Sequence, residues 1–256
     1  MRRSRSRDER RLYGDLAWTW PIVSPPARYV REARELRRMI RSRAPAARML
    51  LHLGCGGGHL DKTLKASFAV TGVDLSPRML ALAHRLNPEV SYRVGDMRTV
   101  RLRRTFDAVV IADSVAYMQT ERDLRAAFRT AFAHLAPGGV FITFVERTPA
   151  TFRQDATTRL VERRGDLEIV LIENQHDPDS ADTTYESTFV YLIRRRGRLQ
   201  VETDRHRLGL FPLPLWRRLL RETGFRVTQV VGEPDRPGAR GNATFVCVRP
   251  TGERNL

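Results

Sequence analysis

Short apolar runs punctuate the first half of the chain, and each stops at glycine or at an acid. Met49 to Leu53, Ala69 to Asp74, Tyr92 to Met97 and Phe106 to Asp113 are of this kind, and Val140 to Phe144 follows Ala136-Pro137-Gly138-Gly139. Runs this short that do not alternate read as strands covered on both faces, the pattern of a parallel sheet. The periodicity changes between them. Tyr29, Ala33, Leu36 and Ile40 recur at i, i+4, i+7 and i+11, which predicts a helix, and Glu121 to Leu135 predicts another that ends at Pro-Gly-Gly. Beyond residue 150 three β-rich runs (Leu167 to Gln175, Thr183 to Ile193, Leu199 to Leu208) are joined by turns at His176–Asp182 and Arg194–Gly197, spacing that predicts an antiparallel sheet. A helix over Pro214 to Thr223 with Gly224 past its end, and strands over Phe225 to Val231 and Ala243 to Val248, complete the chain. No internal repeat is visible.

The first strand ends in four glycines, Gly54 and Gly56 to Gly58, around Cys55. Gly54, Gly56 and Gly58 predict a tight turn in which backbone approaches a ligand. A helix is expected to open at His59 to Leu64, turning its free N–H groups and positive dipole end toward that ligand. Twenty residues on from Gly54, Asp74 ends the second strand, where an acid in doubly wound folds hydrogen-bonds ribose hydroxyls. A G-x-G-x-x-G dinucleotide loop requires glycine at position 59; His59 stands there, which disfavours nicotinamide.

Taken together and in order, the glycine loop, Gly72-Val73-Asp74-Leu75-Ser76-Pro77-Arg78-Met79-Leu80, Gly95-Asp96-Met97 and Leu135-Ala136-Pro137-Gly138-Gly139 resemble the class I S-adenosylmethionine (SAM)-dependent methyltransferases over residues 49–146. The resemblance implies an α/β fold: a doubly wound, Rossmann-like seven-stranded sheet with a small antiparallel β lid inserted after the fifth strand. It also implies cofactor roles. Gly54, Cys55, Gly56 and Gly58 bring backbone to the ribose and methionine parts, Asp74 and Leu75 meet the ribose, Asp96 accepts from the adenine amine, and Met97 and Met79 cover the ring. Tyr13, Trp18 and Tyr29 are candidates for a flap over the methionine part. The family has an acid two residues before the first glycine, to hold the cofactor's ammonium, and this chain has His52. A neutral imidazole supplies no negative charge, so Asp113 and the backbone near Ala112 are expected substitutes, and restoring Asp at 52 is expected to leave affinity unchanged or raise it.

The layout from Tyr13 to Val248 further resembles the bacterial amino-sugar N-methyltransferases of antibiotic pathways. It rests on Tyr29, on Val145-Glu146-Arg147-Thr148-Pro149-Ala150-Thr151-Phe152 and on His206-Arg207-Leu208-Gly209-Leu210-Phe211. The implied organisation is a disordered basic tail (1–11), flap and SAM-binding core (12–150), lid (151–210) and the C-terminal part of the core (211–256). Transfer to an amine or hydroxyl of a small-molecule acceptor needs in-line positioning and a proton acceptor. Glu146 at the end of the fifth strand, His206 in the last lid strand and Tyr117 after the fourth strand are the catalytic candidates.

Charge complicates this little. The net charge is +16, but 43 of the 45 basic residues are Arg and they are scattered, so a nucleic-acid partner is disfavoured. Signatures of nucleobase amine methylation are missing from Ala112-Asp113-Ser114-Val115. Two cysteines imply no disulfide framework or metal site, and no apolar run follows the basic N-terminus, so a cytoplasmic protein without membrane contact is expected. Homodimerisation through exposed lid strands stays open, as do RNA or protein methylation and a SAM-binding module without transfer activity. Calorimetry should show SAM bound in preference to NAD, and Asp74→Ala weakening SAM about tenfold or more, since a charged hydrogen bond is worth roughly 1.5–3 kcal/mol.

Overall fold

A computed structural model describes residues 10–231 and 243–252 of the 256-residue chain. Strands β1 (Met49–Leu53), β2 (Ala69–Asp74), β3 (Ser91–Val94), β4 (Phe106–Ile111) and β5 (Leu135–Val145) pair in parallel. Helices α1 (Trp20–Val23), α2 (Val30–Arg43), α3 (Asp61–Leu64), α4 (Pro77–Leu86) and α5 (Glu121–His134) precede or separate them. Four antiparallel strands follow, β6 (Ala156–Arg164), β7 (Leu167–His176), β8 (Thr184–Arg195) and β9 (Arg198–Gly209), then α6 (Leu213–Thr223), β10 (Arg226–Val231) and β11 (Ala243–Val248). The main sheet has seven strands in the order β10-β11-β5-β4-β1-β2-β3, with β11 antiparallel to both neighbours. This is the doubly wound sheet expected from the apolar runs, and the second sheet is the lid.

Alternation along each strand divides the core in two. Leu51, Leu53, Val109, Ile111 and Phe141 pack toward α5 and α6, while Leu50, Val70, Val110 and Ile142 pack toward α2, α3 and α4. The α2 stripe behaves as its spacing requires: Ala33, Leu36 and Ile40 are buried against the sheet. Leu36 and Ile40 each contribute roughly 1.5–3 kcal/mol. Because strand order runs outward from β1 in one direction and from β4 in the other, a crevice opens beyond their carboxyl ends.

Several elements differ from expectation. The helix after the glycine loop is one turn, Asp61–Leu64, too short to present a helix dipole to a ligand. The third strand stops at Val94, leaving Asp96 and Met97 in the turn beyond it. Pro137-Gly138-Gly139 lies inside β5, where pairing with β4 shifts register and Gly138 takes φ +78°. The lid has a fourth strand, β6, whose Thr- and Arg-rich sequence lacks an apolar face because it is an edge strand with half its pairing and little burial. Of the tail expected over 1–11, residues 1–9 lie outside the described residues. Arg10 and Arg11 are ordered: Arg10 N–H donates to the Arg205 carbonyl and Arg11 N–H to Asp204.

The lid meets the core at Gly209. A Cβ there would stand 2.0 Å from the Met118 carbonyl oxygen and 2.7 Å from the Phe211 ring. Gly209→Ala is therefore expected to destabilise the protein by about 1–3 kcal/mol through overpacking. Urea denaturation reads this, and an unchanged midpoint would show that the joint yields freely.

Candidate active site

The crevice is a cavity of about 970 Å³ roofed by the lid and by residues 10–29, a volume suited to a cofactor and a small acceptor together. Its floor is the glycine loop. Gly54, Gly56 and Gly58 have φ of +73°, +52° and +71°, and a Cβ on Gly54 would stand 2.1 Å from Ser114 Oγ and 2.9 Å from Met97 Cε, so only glycine fits. Asp74, at the end of β2, accepts from Gly56 N–H and Ser76 N–H, both at 2.8 Å. Each oxygen thereby keeps a lone pair for the cavity. Burial pushes the Asp74 carboxyl up, against those two bonds. Asp96 lines the opposite side with Met97, but Arg98 grips its carboxylate through Nε and Nη2 at 3.0 and 2.6 Å and reaches Asp123 with Nη1 at 2.9 Å. That grip keeps Asp96 below the usual carboxylate range.

Of the flap aromatics, Tyr13 and Tyr29 line the cavity and Trp18 does not. Ala17 and Thr19 are buried, so Trp18 between them turns outward and lies under Arg195 at 5.8 Å. Trp20 takes the inner place, stacked on His59 with ring centroids 5.8 Å apart. Met79 is fully buried beneath Leu12 and Ala17, and Leu75, Cys55 and Ala112 contribute to the wall.

The three acceptor-side candidates converge on the same cavity. Tyr117 bonds His206 Nδ1 at 2.7 Å and the Tyr13 hydroxyl at 2.8 Å, and His206 Nε2 bonds Asp204 at 2.8 Å. Asp204 can only accept, so Nε2 carries the proton and Nδ1 accepts from Tyr117. Both ring nitrogens are thus engaged: His206 lines the cavity with its nitrogens tied to Tyr117 and Asp204. Burial pushes both tyrosine hydroxyls well up, so each stays neutral. Glu146, one residue past β5, meets Asp113 past β4. Enclosure, then the Asp113 charge, push Glu146 well above the usual carboxylate range; Asp113 shifts the same way by enclosure, though it opens more to the cavity.

A methyltransferase-domain family profile matches residues 50–139. The dTDP-3-amino-3,4,6-trideoxy-alpha-D-glucopyranose N,N-dimethyltransferase of Streptomyces venezuelae is 32% identical over 222 residues, covering 86% of this chain and 91% of that protein. The chain belongs to the class I SAM-dependent methyltransferases. Among solved structures, Streptomyces venezuelae DesVI superposes with a TM-score of 0.79 at 29% identity, covering 92% of this chain and 96% of that one. SAM-bound CalS10, an amino pentose methyltransferase from Micromonospora echinaspora, does so with 0.77 at 28%, covering 86% and 91%.

SAM is the cofactor of this methyltransferase, and the donor set fits it. Carboxylates with free lone pairs stand at the ends of β2 and β4, glycine backbone lies bare between them, and the buried His52 Nε2 has no partner. Several residues at the cavity escaped the sequence: Trp20, Glu32 and Arg98 line it, and Asp204 stands behind His206. Trp20 stood in the aromatic-rich stretch before α2, and Glu32 left a signal four residues before Leu36 at the border of the α2 stripe.

His52 needs a correction. Its Nδ1 lies 2.7 Å from Asp61, which is fully buried, so an acid at 52 would face a second buried carboxylate instead of restoring a lost charge. His52→Asp is expected to lower stability by about 3–5 kcal/mol. Urea unfolding of His52→Asp beside the exchange His52→Asp/Asp61→His tests this, with the exchange recovering at least half the loss.

Proposed function

We propose that this methyltransferase methylates the amine of a small amino sugar. The observation that carries this is the hydrogen-bonded path Tyr13–Tyr117–His206–Asp204, a proton exit that opens on the same cavity as the Asp113–Glu146 carboxyl pair. The relatives point the same way, being named for N,N-dimethylation of dTDP-linked amino sugars.

When bound, SAM supplies a methyl group already made electrophilic by its sulfonium. The chain's share is to hold donor and acceptor in line, an effect worth up to roughly 7–11 kcal/mol. Asp74 takes the ribose hydroxyls, backbone at Gly54 and Gly56 lies along the cofactor, and Asp96 with Met97 receives the adenine; the arginine grip on Asp96 holds its oxygens in place. Lid and flap keep water out.

An amine arrives as an ammonium and must become neutral to attack. Asp113 and Glu146 share a proton when no cation is near; an arriving ammonium favours their charged form, which a hydroxyl cannot do, and the shared proton is released to solvent as the acceptor enters. One amine proton then passes to the Tyr13 oxygen, the Tyr13 proton to Tyr117 and the Tyr117 proton to His206 Nδ1. Asp204 stabilises the imidazolium that results.

Assays on a nucleotide-linked amino sugar and on its hydroxyl counterpart decide between nitrogen and oxygen. Methylation of the amine alone is expected; faster transfer to the hydroxyl would refute the proposal. His206→Ala and Tyr117→Phe should each lower kcat about 100-fold, with SAM affinity within about twofold. The raised carboxyl of Glu146 means the folded state keeps a proton that the unfolded chain releases, so stability falls as pH climbs through the folded value. Glu146→Gln should therefore melt higher than wild type at pH 8 while turning over more slowly.

A further inference from the structure

His52 is the loose end of a buried polar network beneath the cavity. Asp61 accepts from its Nδ1 at 2.7 Å and from the Tyr92 hydroxyl at 3.1 Å, and Asn87 holds that hydroxyl at 3.0 Å. With a carboxylate on one side, Nδ1 must carry a proton. Nε2, on the far side of the ring, is buried, makes no hydrogen bond and belongs to a residue of the cavity wall. The ring is 3% exposed, so no bulk water satisfies that nitrogen, and leaving it unpaired is costly. A ligand group that reaches it removes the cost.

Charge selects which group. Burial alone would weaken the ring's hold on a second proton, but Asp61, followed by Glu32 and Asp74, more than offsets burial and the net shift is upward. Nδ1 stands 2.7 Å from the buried Asp61 carboxylate, and in that ion pair the ring is the cation and its Nε2–H donates. It repels an ammonium and attracts an anion. SAM carries one anion, the α-carboxylate of its methionine part. With the ribose at Asp74 on β2 and the adenine at Asp96 beyond β3, the methionine part extends back toward β1 and α2, where His52 and Glu32 line the cavity.

We propose that His52, held by Asp61, donates from Nε2 to the α-carboxylate of SAM, and that Glu32 faces the neighbouring ammonium. The polarity of the position two residues before the glycine loop is thereby inverted: a cation stands where an acid was expected, and it takes the opposite end of the amino-acid group. This rests on the placement of ribose and adenine proposed above.

S-adenosylhomocysteine and two analogues, one lacking the carboxylate and one lacking the amine, separate the alternatives by calorimetry without any turnover. Wild type should bind the decarboxylated analogue at least tenfold more weakly than S-adenosylhomocysteine. In His52→Leu the two should bind within threefold of each other, with affinity for the decarboxylated analogue unchanged. Asp61→Asn keeps the ring but removes the charge that holds its second proton, and should narrow the gap as well. Equal binding of the two ligands by wild type overturns the proposal even if neither variant folds. So does a His52→Leu loss that disappears with the deaminated analogue, which would assign His52 to the ammonium, and so does a full gap retained in Asp61→Asn. Failure of wild type to bind S-adenosylhomocysteine at all would instead overturn the placement at Asp74 and Asp96.

Discussion

The buried Asp204 carboxylate joins the parts of the site that the sequence keeps apart. It accepts from the backbone N–H groups of Arg11, Leu12 and Arg205 and from His206 Nε2, at 2.7 to 2.9 Å. A carboxylate taken out of water is tolerable only when its lone pairs are filled, and here four donors fill them. Those bonds keep it charged, below the ordinary aspartate value despite its burial. Two of the four donors belong to the start of the flap and two to β9, so one charge fastens the N-terminus to the lid and sets the tautomer of His206. Leu16, Ile22 and Val23 then pack on Ile169, Tyr191 and Ile193, and the roof of the cavity closes as one layer.

Beneath that roof the cavity concentrates groups that stability alone would not retain. Glu146 and Asp113 crowd together at the ends of adjacent strands, and His52 leaves a ring nitrogen unpaired. Under the proposed reading, a cationic acceptor and an anionic ligand group would offset what these groups cost. The surrounding core is conventional by contrast, with aliphatic residues on both faces of the sheet and an aromatic cluster of Phe128, Phe141, Trp216 and Phe225 beneath α5 and α6. The carboxyl pair and the unpaired His52 nitrogen lie at the carboxyl edge of the strands, where the fold places its crevice.

Much of this was legible in the chain itself. Unbroken apolar runs mark strands buried on both faces, so the parallel half of the sheet, the two-layer core and the crevice followed from periodicity, and Asp74 and the glycines followed from their place at strand ends. The stripe on α2 did as well. What the sequence hid had little local signature. The Thr- and Arg-rich β6 is a strand only because β7 offers it a partner, and α3 is one turn although its apolar spacing suited a longer helix.

The side-chain partnerships lay further out of reach. Trp18 and Trp20 are equivalent as letters, and only the buried neighbours Ala17 and Thr19 decide which ring faces the cavity. His206 and Tyr117 were visible as candidates, but the path that joins them to Tyr13 and Asp204 spans separations of 89 and 104 residues. His52 read as a missing charge until Asp61 came to lie against it. The sequence determined the strands, their burial and the edge at which the ligand binds, because those depend on period and on residue type at fixed spacing. Tertiary structure decided which polar groups meet, because a buried hydrogen bond depends on positions that only the closed flap and lid bring within 3 Å of each other.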